Sequence, residues 1–312
     1  MIYTVTFNPC VDKTVLLDSF AEGETNRVKS SEKNICGKGI NASVVLGNLG
    51  HENGAFFFEY EEGPSVSAFL TSKGVKVYPT RVKGEIRTNV KLHDLQKNLV
   101  TEVNEKGEKV IESDVQAIIS SITETVKTGD VVTLSGSVPP GVPKDIYKTL
   151  ITALKSKRVI TVLDASGELL SYGLEAKPDL VKPNRDELSE LTCKDIASVL
   201  DAANAATELV YGGVKNVCVS MGKDGAVLVN KSTCIRALNR EVNVKGTVGA
   251  GDSMVAGFAL GLSKGMDEAE MLRCASAMAA GSVSLPSTNL CTPELFEKYY
   301  GKVELTDLCA QA

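Results

Sequence analysis

Imidazoles, paired cysteines and long apolar runs are all scarce in these 312 residues, and each scarcity excludes a class of function. Only His51 and His93 could serve as imidazole ligands, and the eight cysteines show no C-x-x-C spacing. A zinc site or disulfide framework is therefore not expected, and the thiols read as reduced and intracellular. No run of about 18 apolar residues marks a membrane helix, and Met1–Phe7 resembles a strand rather than a signal peptide. Excess positive charge is also missing. A formal net charge of −5 argues against nucleic acid or an anionic membrane as partner. There is no P-loop, no protein-kinase catalytic loop, no internal repeat and no obvious linker. The 43% of hydrophobic residues that remain can build a sizeable core, so a cytoplasmic α/β protein is expected.

The most informative stretch is Gly246-Thr247-Val248-Gly249-Ala250-Gly251-Asp252-Ser253, followed by an apolar segment to Gly261. It reads as a glycine loop that opens a buried helix, with backbone N–H groups converging where the helix dipole favours an anion. A carboxylate at such a point repels the anion it sits beside, unless it is there to accept a proton. Phosphoryl transfer to an alcohol needs that pairing: an anion hole at Gly249, Ala250 and Gly251, and Asp252 as base. A bare G-x-G-D arises by chance in roughly one chain in ten of this size. The rest of the chain must therefore be weighed with it.

Ile2–Phe7 reads as a strand that runs into a polar turn, Asn8-Pro9-Cys10-Val11-Asp12. Asp12 there is either an ordinary turn aspartate or an acceptor for two vicinal sugar hydroxyls. Residues 14–17 and 23–31 look like short exposed strands. Cys36-Gly37-Lys38-Gly39-Ile40-Asn41-Ala42 opens a second helix near Gly39. Its G-x-G-x-x-A spacing fits either a dinucleotide fingerprint, with Glu59 downstream, or a loop whose amides, Lys38 and Asn41 grip a sugar phosphate. The segments 86–92 and 98–104 alternate as a hairpin with one polar face, on which Arg87 and Asn89 could clamp a phosphate.

From Asp114 onward, apolar runs at 131–134, 159–163, 217–219 and 226–229 alternate with helices near 114–126, 143–156, 196–211, 250–263 and 267–282. This predicts a mostly parallel sheet covered on both faces. Polar clusters follow its strands, among them Asp164-Ala165-Ser166-Gly167, Lys182-Pro183-Asn184-Arg185-Asp186-Glu187 and Ser220-Met221-Gly222-Lys223-Asp224-Gly225. Asn184 and Glu187 are either a helix cap with an acid in its first turn or part of a magnesium–water shell.

Taken together and in this order, these motifs resemble the PfkB (ribokinase-like) carbohydrate kinase family over nearly the whole chain. Within it, Asn8-Pro9-x-x-Asp12, Gly23-Glu24-x-Asn26-Arg27, Arg87-x-Asn89-Val90-Lys91 and Thr101-Glu102-Val103-Asn104-Glu105 are similar to the branch that phosphorylates fructose 1-phosphate. Kinases of tagatose 6-phosphate and fructose 6-phosphate are near neighbours of that branch.

The resemblance implies a single ribokinase-like α/β domain over 1–312, with a small β lid from about 13–35 and 86–104. It implies that ATP and Mg²⁺ are used and that two copies pair through their lids. It makes Asp252 the base and Gly249–Gly251 the anion hole. Asp12, Arg27, Gly37, Lys38, Gly39, Asn41, Arg87 and Asn89 would bind the sugar phosphate, with Arg27 reaching a substrate in its own or a neighbouring subunit. Lys182, Ser220, Gly222, Gly225 and Thr247 would line the nucleotide, and Asn184 and Glu187 would organise Mg²⁺ through water. Cys10 and Cys36 stand where the family usually has alanine and glycine; Cys36 would alter local backbone angles, and a thiol there would make activity redox-sensitive. Two other classes stay open: an NAD-dependent oxidoreductase using the Gly37–Ala42 loop, and a sugar-phosphate sensor without catalysis.

Overall fold

The structure is a computed structural model and describes residues 1–286 and 289–309. The chain begins with β1 (Ile2–Thr6), β2 (Cys10–Leu17), β3 (Ser30–Cys36), α1 (Lys38–Asn48), β4 (Asn53–Glu62), α2 (Val66–Ser72) and β5 (Lys76–Glu85). There follow β6 (Arg87–Asp94), β7 (Leu99–Asn104), α3 (Glu112–Thr125), β8 (Val131–Ser135), α4 (Ile146–Ser156), β9 (Ile160–Asp164), α5 (Gly167–Glu175) and β10 (Leu180–Val181). The remainder holds α6 (Arg185–Thr192), α7 (Val199–Tyr211), β11 (Asn216–Ser220), β12 (Ala226–Val229), β13 (Cys234–Leu238), α8 (Ala250–Lys264), α9 (Glu268–Val283), α10 (Pro293–Tyr300) and β14 (Glu304–Asp307).

Ten strands form one sheet in the order β14-β13-β12-β11-β10-β9-β8-β1-β4-β5. Pairing is parallel from β11 to β5, and β12, β13 and β14 add antiparallel at one end. Every residue of β1 and β8 is buried, as expected of strands covered on both faces. The strand order reverses at β1, between β4 and β8. Ligands of such sheets bind in the crevice beyond the carboxyl ends at this switch point. No helix among the described residues is long and apolar enough to cross a membrane.

The second sheet has the order β3-β2-β6-β7, with β2 and β6 parallel at its centre. The two polar hairpins of the sequence thus join edge to edge. Two expectations are corrected here. Residues 23–29 form a loop, in which Asn26 bonds to the backbone of Ala21 and Glu24, and Lys29 N–H then reaches the Leu16 carbonyl of β2 at the start of β3. Cys10, Val11 and Asp12 belong to β2 and not to a turn. The start of α6 is where the Asn184–Glu187 cap predicts it, whereas α5, α10, β13 and β14 carried too little periodicity to be read in advance.

Helix α8 is apolar on all sides because it runs through the interior, with residues 252–261 buried. Gly257 allows α9 to approach closely, since a Cβ there would lie 2.4 Å from the Ala275 Cα. That contact is backbone and cannot swing aside. Gly257→Ala is therefore expected to destabilise the protein by about 1–3 kcal/mol through overpacking. Urea unfolding measures this, and an unchanged midpoint would contradict the packing.

Candidate active site

Helix α8 starts at Gly249, whose φ of 77° lies in the left-handed region that a side chain disfavours. The first-turn N–H groups at Ala250, Gly251 and Asp252 have no helical carbonyl to bind. That of Ala250 reaches only the Thr247 carbonyl, at 3.5 Å. Asp252 sits in this turn, buried, and its Oδ2 accepts a 2.7 Å hydrogen bond from Asn41 Nδ2 on α1. Two helix N-termini thereby meet. Burial pushes the Asp252 carboxyl above the usual range against the pull of Lys38, and nearby Asp164 adds to the rise. A carboxyl in this state is suited to taking a proton.

Asp164 ends β9 and is wholly buried. Its Oδ1 lies 3.2 Å from Lys38 Nζ and 3.1 Å from Lys182 Nζ, while Oδ2 has no partner. Burial works to raise this carboxyl, but Lys182 and Lys38 outweigh it and hold it below the usual range. Lys38 stays a cation in spite of burial, because Asp164, Asp252 and Glu187 surround it. Lys182 also borders Gly251, where a Cβ would lie 3.4 Å from its Nζ. Gly37 caps α1, and Lys38 and Gly39 form its first turn beside the site.

The inner face of the small sheet closes the other side. Asp12 accepts from Lys91 Nζ at 2.6 Å, from Asn89 Nδ2 at 3.1 Å and from Cys10 Sγ at 3.3 Å. A carboxylate offers about four acceptor positions. Three are filled, so one acceptor position of Asp12 stays open. Arg87 is likewise engaged: its guanidinium donates to the carbonyls of Asn8 and Glu105 and to Asn89 Oδ1. One N–H is left free among the described residues, and the rest of the side chain staples the sheet to the loop after β1. Arg27 lies exposed on the loop between β2 and β3, away from this cluster and without an ion pair among the described residues.

Cys10 and Cys36 face each other across β2 and β3, both buried. Cys36 is not among the residues with positive φ, so a side chain costs nothing at that point. Burial and the charge of Asp12 push the Cys10 thiol up to about 12 and raise Cys36 well above its ordinary value. Both stay protonated at neutral pH and are poor nucleophiles.

A cavity of about 800 Å³ adjoins the start of α8. Ser220, Gly222, Gly225 and Thr247 line it, with Ala250, Gly251 and the apolar side chains of Val242, Val244 and Met254. Asn184 and Glu187 form a reciprocal capping box at the start of α6, with bonds of 2.8 and 2.9 Å. The helix-cap reading of this pair is therefore the one seen, and the charge of Glu187 also acts on Lys38.

Two participants were not singled out from sequence: Asp164, whose position at a strand's carboxyl end was the available signal, and Lys91, third on the alternating face that begins with Arg87 and Asn89.

The family model described as pfkB family carbohydrate kinase matches residues 5–295. The 1-phosphofructokinase of Bacillus subtilis (strain 168) is 36% identical over 309 residues, covering 99% of this chain and 100% of its own. Phosphofructokinase-2 from Escherichia coli in complex with potassium superposes with a TM-score of 0.89 at 29% identity, over 96% of this chain and 98% of its own. The same enzyme in complex with fructose-6-phosphate gives 0.86 at 28% identity, with the same coverage.

A carboxyl whose pKa is higher in the folded state than in the unfolded chain favours folding only while protonated. Above the unfolded value near 4, it costs stability relative to a neutral amide. Asp252→Asn can still accept the Asn41 bond, so it should be more stable than the parent at pH 7, by about 1 kcal/mol. The difference should close below about pH 4. Urea titrations at both pH values check this, and a variant less stable at pH 7 would contradict the buried, strained carboxyl.

Proposed function

Because the chain belongs to the pfkB family of carbohydrate kinases, we propose that it transfers a phosphoryl group from ATP to a ketohexose phosphate, with fructose 1-phosphate as the preferred acceptor. The observation that carries this reading is the buried, proton-accepting Asp252 at the helix start between the polar sheet and the 800 Å³ cavity.

The acceptor sugar lies under the small sheet, with Asp12, Asn89, Lys38 and the remaining Arg87 donor around it. Asp252 takes the proton of the attacking hydroxyl as the new O–P bond forms. The amides of Ala250 and Gly251, with Lys182 beside them, face the migrating group and balance its charge. Ser220, Gly222, Gly225 and Thr247 flank the nucleotide.

Among the described residues, no three His, Cys, Asp or Glu side chains gather to cage a metal ion. Mg²⁺ keeps its waters and is held largely by phosphates, so oxygen side chains such as Asn184 and Glu187 suit it. Glu187 and Asn184 would hold it through water, and Asp164 Oδ2, which has no partner among the described residues, is a further oxygen in the same crevice. When bound, Mg²⁺ would screen the phosphate charges. The dinucleotide alternative loses support because the strand before Gly37 is the exposed edge strand β3, not a buried one.

Pairing of two copies through the small sheet is supported by β7, which exposes Leu99 and Val103 on the outer face. Arg27 would then approach a site across the pair. Fructose 6-phosphate is kept as the second acceptor, since the solved relative of similar fold was crystallised with it.

ADP formation with fructose 1-phosphate, fructose 6-phosphate, tagatose 6-phosphate and free fructose tests the proposal, with fructose 1-phosphate expected to give the highest kcat/KM. Asp252→Asn should lower turnover by roughly 10²–10⁴-fold while substrates still bind. Undiminished turnover in that variant would remove Asp252 as the base.

A further inference from the structure

Lys91 is a lysine where the fold calls for an interior residue. It lies in mid-β6 with its side chain only 9% exposed, and its Nζ is 2.6 Å from Asp12 Oδ2. Its register partner on β7 is the exposed Glu102. Burial works against its charge, yet Asp12 and Glu102 raise it above the ordinary lysine value. A buried ion pair is seldom a stability device, because apolar residues of similar volume often do as well. Its position is the informative point.

Lys91 is the cation paired with Asp12, whose other partners, the Asn89 amide and the Cys10 thiol, are neutral. Lys38 and Lys182 are already committed to Asp164. The thiols of Cys10 and Cys36 face Asp12 as neutral groups. Removing Lys91 therefore leaves the Asp12 carboxylate without an ion-pair partner. A sugar phosphate entering under the sheet would then meet an uncompensated Asp12 carboxylate.

We propose that Lys91 is a positioning residue that anchors and neutralises Asp12, and thereby sets the pocket's preference for a phosphorylated sugar over a neutral one. This rests on the proposed function, since it assigns the acceptor to the space beneath the small sheet. Lys91 acts through Asp12. It fixes one carboxylate oxygen so that the remaining acceptor position points at a single hydroxyl. It also removes the repulsion that a buried carboxylate exerts on an anionic ligand, a repulsion that a neutral sugar does not feel.

The test measures kcat/KM and, separately, equilibrium binding for fructose 1-phosphate and for unphosphorylated fructose. Lys91→Met should lower the preference for the phosphosugar by about tenfold or more, the scale of one unpaired charge several ångströms away. Lys91→Arg, which keeps the charge, should retain most of the preference. The double variant Asp12→Asn/Lys91→Met should recover it relative to Lys91→Met, because the unpaired carboxylate is gone. Equal losses for both sugars in Lys91→Met, or no loss for either, would overturn the inference.

Should Lys91→Met fail to fold, Asp12→Asn compared with the double variant decides the same point. The single variant should favour the phosphosugar by about tenfold over the double, and equal preference would overturn the inference. If the unmodified protein turns over no sugar, the catalytic proposal fails, while the binding ratios still judge Lys91.

Discussion

One oxygen of Asp164 holds two lysines that would otherwise repel each other. Lys38 arrives from the first turn of α1 and Lys182 from the end of β10, so three elements on the carboxyl edge of the sheet are tied at a buried point. The arrangement separates two jobs that would conflict in one residue. Asp164 stays ionised because cations surround it, whereas Asp252 is driven toward its protonated form by burial. Two aspartates in the same crevice thus differ in proton affinity, and the one that can take a proton stands at the helix N-terminus.

The small sheet carries polar groups on a covered face. Cys10, Asp12, Asn89 and Lys91 lie there, while on the opposite face Val11, Val15 and Leu17 are buried and Leu99 and Val103 stand out toward solvent. Each inward polar group has a partner in the sheet itself, which is what makes their burial tolerable. The polar side is therefore closed before any ligand arrives, and a ligand must fit the few acceptor and donor positions left open.

How much of this was legible in the sequence depended on range. The Gly249–Asp252 turn and the buried helix after it are local, and glycine spacing with apolar continuity was enough to read them. The parallel sheet followed from unbroken apolar strands. The pairings of Asp164 and Lys91 were not legible locally, since their partners Lys38 and Asp12 lie 126 and 79 residues away in sequence. The expected strand at 23–31 held only for Ser30 and Ser31, which open β3, because alternation in the polar segment before them fits a loop stabilised by Asn26 equally well. Arg87 was legible as a cation on the right face. That most of its donors are used on Asn8 and Glu105 depends on how four chain segments cross there.

That crossing has a mechanical consequence. The chain passes between the two sheets at the Asn8–Pro9 link, at Gly37, at Ile86 and after Asn104, all at the same end of the small sheet. Any rotation of the small sheet about that end would carry Asp12, Asn89 and Lys91 further than Cys10 and Arg87, which lie beside the crossing.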